Sequence, residues 1–242
     1  MSKTNKVSRV EYKFYFPSKY IEDLKFCLSK VMLEDKHNKA SKGYKITSLY
    51  FDSIDDRDLN EKLDGIMYRE KCRIRIYDAD NLFGKFEIKR KLNQTIEKIS
   101  LELSEEDIHS IISGNYSALE KNPEFSYASY RMQYYNYTPK TIVEYYRKAY
   151  YLPINNIRIT IDSNLSNYGF KNDFLNLKSF KSNTIQKPGY EILEIKFNES
   201  IPRSILNILS AFPVRQSAIS KYSLSRLDSN TESKGDEPLI SF

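Results

Sequence analysis

The chain has 242 residues, 40% hydrophobic and 29% charged, which suits one packed domain and argues against wholesale disorder. A formal net charge of +6 points toward an anionic partner, and no stretch approaches the ~18 apolar residues of a membrane-spanning helix. With two histidines, two cysteines and seven glycines, the chain has neither a close Cys/His pair nor a glycine-rich phosphate loop, so any phosphate must be held by side chains.

The opening MSKTNKVSRVEYKF has positive charge but no apolar run behind it, so no signal peptide is predicted and a cytoplasmic location is expected. Val7–Phe16 alternates as a strand, and Ser18 is placed to cap a helix carrying Ile21, Leu24, Leu28, Val31 and Met32 at helical spacing. Cys27 lies within that apolar pattern and reads as core filler. Further strands are predicted at Tyr44–Asp52, Lys71–Tyr77, Phe83–Lys91 and Thr95–Leu103, with a polar turn at Asp78–Asn81. Ser104–Ser113 reads as a capped helix with acidic residues in its first turn. The tyrosine-rich Tyr116–Tyr137 is helical in part, with Tyr127–Tyr137 read as core. Strands return at Thr141–Tyr150, Asn156–Asp162 and Tyr190–Asn198, separated by a polar insertion, Ser163–Gly189, that has no assignable pattern. Ile201–Leu209 and Ser217–Leu227 fit short helices. Without repeats or a linker, residues 1–228 make one domain, and 229–242 are expected to form a loose tail.

Five strands carry charge at strict i, i+2 spacing on one face. They are Arg9, Glu11, Lys13; Lys71, Arg73, Arg75; Lys85, Glu87, Lys89, Lys91; Arg158, Thr160, Asp162; and Glu194, Lys196. The residues between them, such as Ile74, Phe86, Ile88, Ile159 and Ile195, face a core. One account is an ordinary sheet, apolar inside and charged toward water. Against it, these faces are almost wholly Arg, Lys and Glu, and the closely spaced arginines suit forked bonding to phosphate oxygens. Helices packed on the apolar face and a charged face turned inward require a barrel with a polar lumen. Crowded cations there favour a triphosphate or longer phosphate chain. Interspersed carboxylates make sense if Mg²⁺ or Mn²⁺ bridges them to phosphate oxygens.

The ordered set RxExK (Arg9–Lys13), YFD (Tyr50–Asp52), KxRxR (Lys71–Arg75), ExK (Glu87–Lys89), YR (Tyr146–Arg147), RxTxD (Arg158–Asp162), LEIK (Leu193–Lys196) and SKY (Ser220–Tyr222) resembles the catalytic domain of the vacuolar transporter chaperone family, polyphosphate polymerases of the triphosphate tunnel superfamily. The resemblance runs from about Val7 to Arg226 and implies an α+β, β-dominated fold, a closed antiparallel eight-stranded barrel with helices outside. It implies transfer of the ATP γ-phosphate onto a growing polyphosphate chain, with Mn²⁺ or Mg²⁺. Carried over by motif, Arg73, Arg75 and Lys89 would clamp the nucleotide phosphates, and Arg147, Arg158 and Lys221 would steady the transferring group. Lys13, Lys71 and Lys196 would bind further phosphate; Glu194, with Glu11 and Glu87 as helpers, would hold the metal. Lys98 reaches toward the same lumen, and Tyr50 and Tyr146 read as packing or orienting groups. Hydrolytic tunnel enzymes begin ExExK; here Arg9 replaces the first glutamate, which favours a phosphate-chain substrate over two-metal hydrolysis. Hydrolysis of tripolyphosphate or nucleoside triphosphates, or non-catalytic polyphosphate binding, are the alternatives. Nucleic acid is not an expected partner. A stand-alone, bacterial-type member is expected, without membrane insertion of its own and with any coupling to translocation left to a membrane-protein partner.

Overall fold

Alternating apolar and charged side chains run through most of the long strands and decide which face each strand turns to the helices. The computed structural model describes residues 5–38, 42–77, 84–93, 95–169, 174 and 182–231. Eight long strands form its wall: β1 (Asn5–Pro17), β3 (Tyr44–Asp52), β4 (Tyr68–Tyr77), β5 (Gly84–Leu92), β6 (Thr95–Leu103), β7 (Thr138–Leu152), β8 (Ile157–Gly169) and β10 (Tyr190–Phe197). Short pieces β2 (Leu33–Glu34), β9 (Asn183–Thr184) and β11 (Arg215–Gln216) pair with β7, β8 and β1. The order β7-β3-β4-β5-β6-β1-β10-β8 returns to β7 through a β7–β8 pairing, so the antiparallel sheet closes on itself. Closure leaves no free edge in the wall.

Among the described residues seven α-helices lie outside the strands of this wall, with the first turn of the last one set across one end of the barrel: α1 (Ile21–Val31), α2 (Arg57–Leu63), α3 (Glu105–Ile112), α4 (Ser117–Glu120), α5 (Pro123–Tyr134), α6 (Arg203–Ser210) and α7 (Lys221–Thr231). Two apolar cores seat them. Ile108, Ile111, Leu119, Phe125 and Met132 pack on Cys72, Ile74, Phe86, Ile88 and Ile99 outside β4–β6. Leu24, Leu28, Ile205 and Leu209 pack on Phe16, Ile159, Leu193 and Ile195 outside β1, β8 and β10. Each fully buried side chain of this size contributes about 1.5–3 kcal/mol. The third cluster lies inside the barrel, where Ile46, Val143, Tyr145 and Ile192 meet Ile219, just before α7, and Tyr222 in its first turn. The lumen is therefore polar over part of its length and apolar where α7 crosses one end. No helix among the described residues is long and apolar enough to cross a membrane.

Several local expectations need correction. Ser18 does not cap α1; it opens a 3-10 turn, Ser18–Tyr20, and its hydroxyl donates to Glu191 at 3.4 Å. Ser104 does cap α3, in a capping box with Asp107. The tyrosine-rich region splits into α4 and α5, with Tyr137 buried but Tyr127, Tyr130 and Tyr134 exposed. Cys27 is only half-buried. β8 runs on to Gly169, into the stretch that showed no pattern, because Leu165 and Asn167 stay buried while Ser166 and Asn167 pair with β9. The last helix starts at Lys221 and continues to Thr231, past the expected start of the tail. The Asp78–Asn81 turn, the Phe83 strand start, most of 170–181 and residues 232–242 of the tail lie outside the described residues.

Candidate functional site

The inward faces of β4, β5, β7, β10 and β1, together with the segment 216–222, enclose a cavity of about 710 Å³. Eleven lysines and arginines line it, against two carboxylates, Glu11 and Glu194.

On the β4–β5 side, Arg73 and Arg75 converge on Glu87 across the strand pair. Arg73 donates to Glu87 at 2.8 Å through Nε and reaches it at 2.6 Å through a second nitrogen, while Arg75 lies 3.8 Å away. Lys98 from β6 takes the other Glu87 oxygen at 2.8 Å. Burial opposes charge on Glu87, but Arg73, Arg75 and Lys98 hold its carboxyl well below the usual carboxylate range. Arg75 is fixed further by Ser48 at 3.2 Å and the Tyr145 hydroxyl at 3.2 Å, and Arg73 by the Tyr50 hydroxyl at 3.0 Å. Burial favours the neutral phenol of Tyr50, yet Arg73 and Arg75 hold its pKa below the ordinary value. Both guanidiniums are thus held in place ahead of any ligand, which lowers the entropy cost of binding.

Across the lumen, Arg147 forks onto Asp162 at 2.6 and 2.7 Å and reaches Glu194 at 3.3 Å. Lys221 shares Asp162 Oδ2 with Arg147, at 2.6 Å. Burial opposes charge on Asp162, and the two cations still draw its carboxyl down to about 2. β3 can approach this point because Gly43 precedes it: a Cβ there would stand 2.0 Å from the Arg147 carbonyl oxygen, and its φ of +82° also calls for glycine. Lys196 sits between the two cavity carboxylates, 3.1 Å from Glu194 and 4.0 Å from Glu11; Lys89 meets Glu11 at 2.6 Å. Burial pushes Lys196 down to about 7 despite Glu194 and Glu11, with Arg147 and Lys89 adding repulsion. Lys71 is also pushed down to about 7, by burial first and by neighbouring Lys13, Lys62 and Arg69 against the pull of Asp58. Its ammonium donates to Ser220 at 2.9 Å, and Lys13 donates to the Ile219 carbonyl at 3.0 Å.

Of the residues singled out in the sequence, Lys13, Lys71, Arg73, Arg75, Lys89, Arg147, Lys196, Lys221, Glu11 and Glu194 all line this one cavity. Glu87 and Arg158 do not. Glu87 is fully buried beneath its three cations, and Arg158 turns to Asp35 at 2.6 Å and the Tyr44 hydroxyl at 3.1 Å. Tyr146 lies on the opposite face of β7 from Arg147, and it is Tyr145 that faces inward. Lys62, Arg69 and Lys91 also line the cavity. Lys91 stood in the alternating row of β5 and Arg69 extends that of β4 one step outward, whereas Lys62 comes from α2, a helix with no apolar stripe long enough to read.

Among the described residues no three His, Cys, Asp or Glu side chains group as a metal cluster. Glu11 and Glu194 nevertheless fit a hard cation that takes its remaining ligands from phosphate. Both are carboxylates facing the cavity, and a positive group, the Lys196 ammonium, already sits between them. Thr160, opposite Glu194 across β8–β10, is buried with a hydroxyl that lacks a hydrogen-bond partner among the described residues.

A family model described as the VTC domain matches residues 8–227. No curated protein matches the chain. Among solved structures, HpAC1 from Hippeastrum, described as a candidate adenylyl cyclase with a dominant triphosphatase activity, is similar at 14% identity. The likeness covers 91% of this chain and 96% of that one with a TM-score of 0.54, a likeness of fold. A candidate adenylate cyclase from Bacillus halodurans is similar at 13% identity over 98% of this chain and 95% of its own, with a TM-score of 0.47.

Proposed function

The chain belongs to the VTC domain family and has the triphosphate tunnel fold, and on that premise we propose that it transfers the γ-phosphate of ATP to the end of an inorganic polyphosphate chain inside its barrel. The observation that carries this reading is the charge imbalance of the cavity, eleven cations against two carboxylates. Phosphoryl transfer asks the protein mainly for positioning and charge neutralisation, and this lumen offers both.

In this reading Arg73, Arg75 and Lys89 clamp the nucleotide phosphates from the β4–β5 wall. Arg147 and Lys221, paired through Asp162, face them and steady the transferring group, with Arg158 released from Asp35 to join when the site is filled. Lys13, Lys71 and Lys196 bind further phosphate units. The nucleophile is a terminal phosphate oxygen, already ionised, so no general base is required. Glu194 and Glu11 would hold Mg²⁺ or Mn²⁺; Glu87, covered by Arg73, Arg75 and Lys98, is left out of that role. Such a cation, when bound, supplies charge neutralisation at the leaving diphosphate. Arg9 supports synthesis over hydrolysis: where the hydrolytic pattern has a carboxylate, this chain adds a cation whose field also acts with Glu11, Arg158 and Glu194.

Incubation of the purified protein with ATP and Mn²⁺, with products resolved on a gel, tests the proposal. Long phosphate polymers with stoichiometric ADP are expected. Orthophosphate as the sole phosphate product would replace the reading with hydrolysis.

A further inference from the structure

The β4–β5 pair places like charges directly opposite each other at two successive inward positions, Lys71 against Lys89 and, one step nearer the rim, Arg69 against Lys91. The next pair inward, Arg73 against Glu87, has opposite signs and forms a salt bridge. Like charges opposed across strands are destabilising, so two such pairs in a row are a cost that the barrel itself does not require. The inner pair is compensated, Lys89 by Glu11 at 2.6 Å and Lys71 by the Ser220 hydroxyl at 2.9 Å. The outer pair is not. Among the described residues neither Arg69 nor Lys91 has a carboxylate within 4.0 Å, and Arg69 bonds only the Ile66 carbonyl. Glu61, the acid that acts on Arg69, is held by Arg57 at 2.8 Å. Lys62 from α2 joins this pair, its ammonium depressed by burial and then by Arg69, Lys13 and Lys91. All three cations line the cavity from its rim, since Arg69 is the second residue of β4 and Lys91 the last but one of β5.

We propose that Lys62, Arg69 and Lys91 form an outer anion subsite at the mouth of the cavity, which binds the phosphate units of an inorganic polyphosphate chain that extend beyond it. The proposal rests on the reading of the cavity given above and adds a selection by chain length. Alternate residues on a strand lie about 7 Å apart, so the outer pair carries the row of cations one such step past Lys71 and Lys89. A triphosphate clamped at Arg73 and Arg75 leaves this subsite empty; a long chain fills it and relieves the repulsion stored there.

The test compares binding of tripolyphosphate and of long-chain inorganic polyphosphate to the wild type and to a triple variant, Lys62→Gln, Arg69→Gln, Lys91→Gln. The variant is expected to lose roughly tenfold in long-chain affinity and to keep tripolyphosphate affinity within about twofold. Without anion it should melt about 1–2 °C higher, because the opposed charges are gone. Equal losses for both anions would reduce the three cations to a diffuse field, and an unchanged long-chain affinity would remove the subsite while leaving the cavity reading intact. A wild type that binds neither anion would overturn both. A single-stranded RNA bound more tightly than polyphosphate, and lost in the triple variant, would assign the rim to nucleic acid and overturn the proposal.

Discussion

On the outer face of β4, Glu70 meets Arg90 and lies 3.4 Å from Arg131; Arg131 pairs with Asp58 at 2.8 Å, and the Tyr137 hydroxyl donates to Asp58 at 2.6 Å. Arg90 also reaches Glu97 at 3.4 Å, so each charge in this cluster has an opposite neighbour. On the inner face of the same strand, Lys71, Arg73 and Arg75 join a cavity wall in which cations far outnumber carboxylates. Both clusters are at least half-buried, but the outer one sets three carboxylates against two arginines, with burial pushing Asp58 up to about 7, whereas the inner one keeps a large excess of cations. Burying unbalanced charge costs several kcal/mol per ion, so the excess kept in the lumen is what the proposed anion would offset, whereas the closely paired outer cluster fixes helices to the wall.

Breaking the closely paired side gives the largest effect on stability. Arg131→Met leaves Asp58 buried without its partner and should cost about 3–5 kcal/mol, with a melting temperature lower by roughly 10 °C. Turnover per folded molecule, assayed well below the transition, should not change. The next effect is the converse. Lys89→Ala removes a cavity cation whose only ion pair among the described residues is with Glu11, and phosphoryl transfer should fall roughly 10²-fold with little change in melting, read by steady-state kinetics beside calorimetry. If the two variants exchanged phenotypes, the distinction between the faces would fail.

A smaller effect comes from pH. Lys71 stands at about 7 in the empty cavity, so as pH rises through that value it loses its charge and anion affinity weakens. A bound anion raises the lysine pKa, and binding above about pH 7 should therefore take up protons. Tripolyphosphate affinity is expected to drop roughly tenfold across this range in the wild type, less steeply in Lys71→Arg because Lys196 is also pushed down to about 7, and to flatten only in the Lys71→Arg, Lys196→Arg double variant, measured by titration calorimetry in buffers of different ionisation enthalpy.

Much of the barrel was legible in the sequence because strand alternation is local: Arg73 and Arg75 alternating with Ile74 and Ile76 announce an inward and an outward face without any partner strand. Ten of the twelve singled-out site residues line one cavity; alternation pointed to eight of them, and Arg147 and Lys221 came from the YR and SKY motifs of the resemblance. Alternation failed where position depends on a distant contact. Arg158 obeys the alternation but is drawn aside by Asp35, from a segment more than a hundred residues earlier in the chain. The alternation holds in β7, where Tyr145 and Arg147, two residues apart, line the cavity and Tyr146 between them does not. The outer cluster escaped altogether, since Asp58, Glu70 and Arg131 come from α2, β4 and α5 and only meet once the helices pack. YFD and SKY acquire a reason in the same way: the Asp52 carboxylate accepts the Ser53, Asp58 and Leu59 amides around the start of α2 and the Tyr222 hydroxyl at 2.5 Å, while Tyr222 stacks on Tyr50.

The central claim, that the unbalanced lumen is a binding site for inorganic phosphate chains, is tested most directly by calorimetric titration of tripolyphosphate into the wild type and into an Arg73→Ala, Arg75→Ala, Lys89→Ala variant shown by circular dichroism to be folded. Saturable binding at one site, weakened at least a hundredfold in the folded variant, is the expected result. Failure of the wild type to bind, or equal binding by the variant, would contradict it.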